Sequence, residues 1–172
     1  PRRPFFVGVD SDGSVFDSMT AKQTLCIQGL IADFWNLRPI ETALREVGEF
    51  VNLYSCHRGQ NRFHNLVRTF DLLRRRPDAA AAGVTVPDLP QTRCWLASPG
   101  APSPVSLAAR AAETGDPELA RLLRWNEAVD AAIARRCPRF PPFPAAPAAL
   151  RRMADAADLV CLSQSPAATL ER

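Results

Sequence analysis

The chain has 172 residues, 47% of them hydrophobic and 23% charged, with a formal net charge of +3 from 21 basic and 18 acidic side chains. This composition suits one or two globular domains with a real core and argues against a disordered or fibrous chain. The basic residues are spread out, so no stripe of charge is present to neutralise a nucleic-acid backbone, and no apolar run approaches the roughly 18 to 20 residues that span a bilayer. Lys22 is the single lysine; the arginine excess, with abundant Ala and Pro, reads as genome composition. Cys26, Cys56, Cys94, Cys137 and Cys161 are odd in number, widely spaced and free of any C-x-x-C or Cys/His cluster. That pattern points to a reducing compartment, the cytoplasm, and away from a zinc site.

In chain order, residues 5–9 (FFVGV) form a continuous apolar run closed by Asp-Ser-Asp-Gly, the pattern of a short buried strand. Helical patterning follows. Apolar residues at 43, 44, 47, 50, 51 and 54, and again at 63, 66, 67, 70 and 73, mark one-faced helices over 41–55 and 62–76. Phe50, Tyr54, Phe63, Phe70 and, further on, Trp125 fit those faces and are assigned to packing. Arg74-Arg75-Arg76 closes the second helix, where cations complement the helix dipole. From 77 to 104, Pro, Gly, Ser and Ala erase the period, which predicts a long irregular excursion.

A short helix over 106–113 stops at Thr114-Gly115. Asp116-Pro117-Glu118 then supplies a cap and a proline at the first helical position, and Leu119, Leu122, Leu123, Val129 and Ile133 carry one apolar face onward. The stretch PRFPPFPAAP (138–147) is too proline-rich for helix or central strand and reads as a linker. After a further short helix over 148–157, Leu159-Val160-Cys161-Leu162 reads as a second buried strand, stopped by Ser163-Gln164-Ser165-Pro166. The first and last segments thus share one plan, strand then polar turn. The expected class is α/β: a strand-based core from 1–18 and 145–172, interrupted by a helical insertion at 19–144.

The chemistry concentrates at the end of the first strand. Asp10 and Asp12 stand at i and i+2, so if strand geometry persists their side chains point the same way, beyond the carboxyl end where open α/β sheets bind ligands. Two carboxylates that close need a cation between them or must share a proton, and either arrangement lets one act as nucleophile or metal ligand while the other moves protons. Gly13 permits a turn that a side chain would obstruct. A conformational Asp/Gly turn and a metal-nucleotide-binding D-x-D are alternative readings of these four residues. An EF-hand loop is not, because Val15 stands where its glycine belongs and Ala21 where its bidentate Glu belongs.

The string FFVGVDSDGSVFDSM (5–19) closely resembles the first motif of the haloacid dehalogenase superfamily of phosphatases and phosphomutases: an apolar strand, Asp-x-Asp-Gly, an apolar pair and Asp-Ser. DLVCLSQSP (158–166) resembles that family's second motif, a strand ending in Ser or Thr. The resemblance implies a Rossmann-like core of parallel strands, partial here, with a large α-helical cap inserted between the two motifs. It implies Asp10 as the nucleophile that forms an aspartyl-phosphate and also binds Mg²⁺, and Asp12 as general acid/base, with its backbone carbonyl in the metal shell. Ser163 would hydrogen-bond the transferring phosphoryl group, and backbone N–H groups of the turn through Gly13 and of Gln164 would cradle its oxygens. The acid at position 12 favours phosphate-ester chemistry over dehalogenation. The implied partner is a small phosphorylated metabolite. A phosphomutase and a non-catalytic phosphate-binding scaffold are the alternatives.

The family also uses a basic residue from a third motif and acids from a fourth, both after the second motif, and Lys22 precedes the insertion and does not match. Two strands alone cannot cover both faces of a parallel sheet. The expectation is therefore an N-terminal portion of a longer protein, or a core completed by another chain, and a chain inactive by itself. Within the insertion, SCHRGQNRFHN (55–65) joins two helices and carries many donors. Arg58 and Arg62 are candidate substrate contacts from the cap; an ordinary interhelix turn with Asn61 as cap is the other reading. Lys22 and Gln23 are second-tier candidates near the boundary between core and insertion.

Overall fold

Proline starts helices here more often than it breaks them. The computed structural model describes residues 2–137 and 139–163. In chain order these form β1 (Phe5–Val9), α1 (Met19–Lys22), a π-helical turn (Gln23–Ile27), α2 (Gln28–Phe34), a 3-10 turn (Arg38–Ile40), α3 (Glu41–Glu49), a second π-helical turn (Phe50–Tyr54), α4 (Arg62–Leu73), α5 (Pro77–Ala81), α6 (Pro90–Leu96), α7 (Pro104–Thr114), α8 (Pro117–Arg136), α9 (Ala146–Ala154) and β2 (Ala157–Cys161). Helices α5 to α8 each begin at a proline, whose missing N–H is an orphan in the first turn anyway and whose φ is already helical. This is why the expected excursion at 77–104 contains two short helices: its prolines begin new turns, and neither helix is long enough to show a period. Among the described residues no helix is long and apolar enough to cross a membrane.

The protein is α/β, mostly helical, with two parallel strands among the described residues. It divides into two compact units, one formed by residues 1–22 and 137–172, the other by 23–136. The sequence predicts these boundaries at 18/19 and 144/145, and the structure sets them at 22/23 and 136/137.

In the helical unit the core is aromatic. Trp35 meets Phe70 and Trp125 edge-on at 5.4 and 5.6 Å between ring centroids, and Phe63 meets Trp95 at 5.1 Å and Trp125 at 6.4 Å. Such tilted pairs add to the burial of large apolar surfaces. Leu44, Leu66, Leu73, Leu107, Leu119 and Leu122 close around them, all essentially inaccessible. The stop at Gly115 and the cap at Asp116 expected from the sequence are both present, and α7 carries a cap the sequence reading does not name. Asp116 accepts from the N–H groups of Glu118 and Leu119 at the start of α8, and Ser103 and Ser106 form a reciprocal capping box on α7. Gly115 ends α7 at φ 63°, a left-handed turn that costs a glycine little. Phe50 and Tyr54, expected inside, are 53% and 75% exposed. The π-helical turn carries an extra residue per turn, so the buried stripe passes instead to Val51, Asn52 and Leu53.

In the other unit β1 and β2 pair in parallel, Phe5 opposite Ala157 and Val9 opposite Cys161, with α9 against β2. The expectation that these strands are buried is not met. Phe5 is 68% and Phe6 65% exposed, and of the ten strand residues only Ala157 is buried. An apolar strand is buried only where another layer covers its face, and alternate side chains of β1 leave by both faces.

Candidate functional site

The apolar run of β1 stops at Val9, and the next residues fold back on themselves. The Ser11 carbonyl accepts from the N–H groups of Val15 and Phe16 at 3.1 and 3.0 Å, and Gly13 N–H donates to the Phe16 carbonyl at 2.8 Å. Gly13 holds φ 76°, so the left-handed conformation expected of it is present. Strand geometry ends before Asp10, and the two carboxylates acquire separate partners.

Asp10 is exposed. One of its oxygens accepts from the Ser11 N–H at 2.9 Å and the other from the Ser14 hydroxyl at 3.2 Å. Asp12 is more enclosed, with its side chain 26% exposed. Its Oδ1 accepts from the Ser18 hydroxyl at 2.5 Å and from Lys22 Nζ at 2.7 Å, and its Oδ2 from the same ammonium at 2.6 Å. Ser18 is fully buried, and the Lys22 side chain is 12% exposed with its ammonium 5.6 Å from the centre of the Phe140 ring. The ammonium therefore sits in a site where water competes little and aromatic π density adds to the attraction.

Parallel pairing puts the carboxyl ends of β1 and β2 on the same side of the sheet. Ser163, just past β2, consequently meets Ser11 in the turn, hydroxyl to hydroxyl at 3.0 Å, across 152 positions of sequence. Asp10, Asp12, Gly13 and Ser163 thus belong to one unit, and Gln164 lies outside the described residues. Of the turn's amides, those of Ser11 and Gly13 are given to Asp10 and to the Phe16 carbonyl. Among the described residues no group of three His, Cys, Asp or Glu side chains gathers to hold an ion. The donor chemistry nevertheless suits Mg²⁺, which commonly takes one or two carboxylates and completes its shell with water and phosphate oxygens. The exposed Asp10 carboxylate supplies such hard oxygens, and the Asp12 carboxylate is committed to Lys22 and Ser18.

Arg58 and Arg62 belong to the helical unit. Arg62, at the start of α4, reaches α8 instead of standing open: its Nη1 donates to Asp130 at 2.7 Å and to Asn126 at 3.3 Å. Asn61 caps α4 by accepting from the Phe63 N–H at 3.0 Å, and its amide donates to the Pro102 carbonyl. Arg58 is exposed in the turn between the π-helical segment and α4. Gln23 is buried in the helical unit, where it accepts from the Gln28 amide at 3.1 Å.

The sequence places Lys22 among second-tier candidates and does not single out Ser18 or Ser11, whereas the structure brings all three to the turn. A signal was available: Ser18 and Lys22 are four apart at the start of helical sequence, a spacing that stacks two side chains on one face, and Lys22 N–H donates to the Ser18 carbonyl at 3.0 Å. Compared with protein-family models, with curated proteins and with solved structures, the chain matches none, so the functional reading rests on the site itself.

Proposed function

We propose that the protein is a Mg²⁺-dependent phosphoric monoester hydrolase acting on a small phosphorylated metabolite, with a Rossmann-like core and the helical unit as its cap. The observation that carries this reading is the meeting of Asp10-Ser11-Asp12-Gly13 with Ser163 at the carboxyl ends of two parallel strands. Ligands of open α/β sheets bind at that end.

In this reading an Asp10 oxygen attacks phosphorus and the bond to the ester oxygen breaks. Asp12 takes up the proton that a monoanionic ester brings and gives it to the leaving oxygen. Water then cleaves the aspartyl-phosphate, with Asp12 taking the proton back, and inorganic phosphate leaves. Ser163 donates to a phosphoryl oxygen, Gly13 keeps the turn open to it, and the Gln164 amide is assigned the same task. Asp10 and the backbone carbonyl of Asp12 would hold Mg²⁺, which when bound offsets the charge that builds up on the phosphoryl group.

The test is covalent. In the full-length gene product, beryllofluoride should modify Asp10, and Asp10→Asn should abolish both that adduct and turnover on a phosphate-ester panel, lowering kcat by several orders of magnitude. An Asp10→Asn protein that keeps ordinary turnover would sink the proposal.

A further inference from the structure

Lys22 is the only lysine in the sequence, and both oxygens of Asp12 are engaged by its ammonium. With Ser18 on Oδ1 as well, the carboxylate proposed to move protons is held on both sides. An ammonium has three N–H groups. Two point to Asp12, and among the described residues the third meets no acceptor; the nearby Phe140 ring interacts with the charge. A phosphate monoester entering the turn brings up to two negative charges next to Asp10 and Asp12. At equal distance and dielectric a dianion attracts an ammonium about twice as strongly as a carboxylate does. The lysine also has the reach to answer that pull, with a charge on four flexible methylenes.

We propose that Lys22 is a substrate-released latch: its ammonium holds Asp12 until a phosphate monoester binds, then passes to the phosphoryl oxygens and frees the Asp12 carboxylate. This rests on the phosphoryl-transfer reading above and adds a regulation of the same site. It makes Lys22 both a substrate ligand and the element that keeps the resting site closed.

In the full protein grown with ¹³C,¹⁵N-lysine, the side-chain Cε–Hε signal of Lys22 is identified by its loss in Lys22→Arg. The experiment adds Mg²⁺ first and inorganic phosphate second, and follows that signal together with the backbone amides of residues 10–13. Mg²⁺ alone should leave the lysine signal in place, and phosphate should move the lysine and the turn amides with one common midpoint. In Asp12→Asn the lysine signal should be displaced before any phosphate is added, and phosphate should bind several-fold tighter because the competing carboxylate charge is gone. If phosphate moves the turn amides and the lysine signal stays still, the latch is wrong and the phosphoryl-transfer reading survives. A lysine signal fully shifted by Mg²⁺ alone also overturns release by substrate. Turn amides that never respond to phosphate overturn the anion site, and the latch with it.

Discussion

The two units treat large apolar side chains in opposite ways. In the helical unit Trp35, Phe63, Phe70, Trp95 and Trp125 are all less than a tenth exposed, whereas in the strand unit Phe5 and Phe6 leave about two thirds of their surface open. The helices supply their own cover because several amphipathic elements surround one aromatic cluster. Among the described residues the two-stranded sheet has one helix against it, too few layers to cover its faces. Stability is therefore expected to reside in the helical unit, and candidate chemistry at the exposed ends of the strands.

The largest expected effect tests this contrast directly. Trp125→Ala removes an indole from the centre of the cluster and should cost roughly 3–5 kcal/mol, a large fraction of an ordinary domain's stability. Phe6→Ala, at 65% exposure, should cost less than about 1 kcal/mol. All three tryptophans, Trp35, Trp95 and Trp125, lie in the helical unit, so urea unfolding followed by tryptophan fluorescence reads that unit, and two tryptophans remain as reporters in Trp125→Ala. Equal losses from the two substitutions would break the contrast.

A second test probes how closely the helical unit is packed. A Cβ built on Gly48 would lie 2.2 Å from the Gln28 amide nitrogen and 2.3 Å from its oxygen. Gln28 is fully buried, so it has little room to retreat. Alanine should favour helix α3 by up to about 1 kcal/mol at an open site. Here the clash should win, and Gly48→Ala should lose about 1–3 kcal/mol. In a double-mutant cycle with Gln28→Ala the two changes should couple favourably, by on the order of 1–2 kcal/mol, because the shortened residue 28 leaves space for the new methyl group. Additive losses in the cycle would mean that Gln28 does not set the spacing.

The elements themselves were largely legible in the sequence, because helix periods and caps are local. The apolar spacing of 62–76 and the Asp116-Pro117 start predicted α4 and α8 closely, and the run 5–9 coincides with β1. Two features depended on neighbours and were not legible. Burial of the strands depends on what lies over them, which their own residues do not encode. The inward placement of Phe50 and Tyr54 extrapolated a period of 3.6 through a π-helical turn that rotates the face. In the candidate site, the motif revealed Asp10, Asp12 and Ser163, whereas the Lys22 contact to Asp12 follows from how the turn folds back onto α1. A D-x-D-G turn followed by Ser and Lys four apart contains that information only once the fold-back is known.

A smaller effect belongs to the cap of α8. Asp116→Ala removes the acceptor for two N–H groups at the start of the longest helix. It should cost about 1 kcal/mol by the same fluorescence-detected melt, with Asp116→Asn recovering most of it. A loss no greater for alanine than for asparagine would show that solvent serves those amides equally well.

The smallest effect separates the units by pH. Both histidines, His57 and His64, lie in the helical unit, and the strand unit has none. Burial, helped by the nearby Arg68 charge, lowers the pKa of His64 from its usual 6.5. The unfolded chain therefore takes up this proton before the folded one does. As pH falls through 6.5 toward the lower folded value, unfolding gains a bound proton and the fold loses stability; above 6.5 the contribution is fully present. The arginine-paired acids act lower. Hydrogen bonds from Arg38 and Arg45 lower the pKa of Glu41, and a hydrogen bond from Arg76 brings Asp78 to about 2, so their stabilisation is lost below their ordinary carboxylate range. The urea midpoint read by tryptophan should consequently fall slightly between pH 7 and 5, and His64→Gln should flatten that slope. Hydrogen-exchange protection of β1 and β2 should stay level across the same interval, since no histidine in their unit changes charge. A slope that persists unchanged in His64→Gln would assign the acid sensitivity to another group and remove His64 from the account.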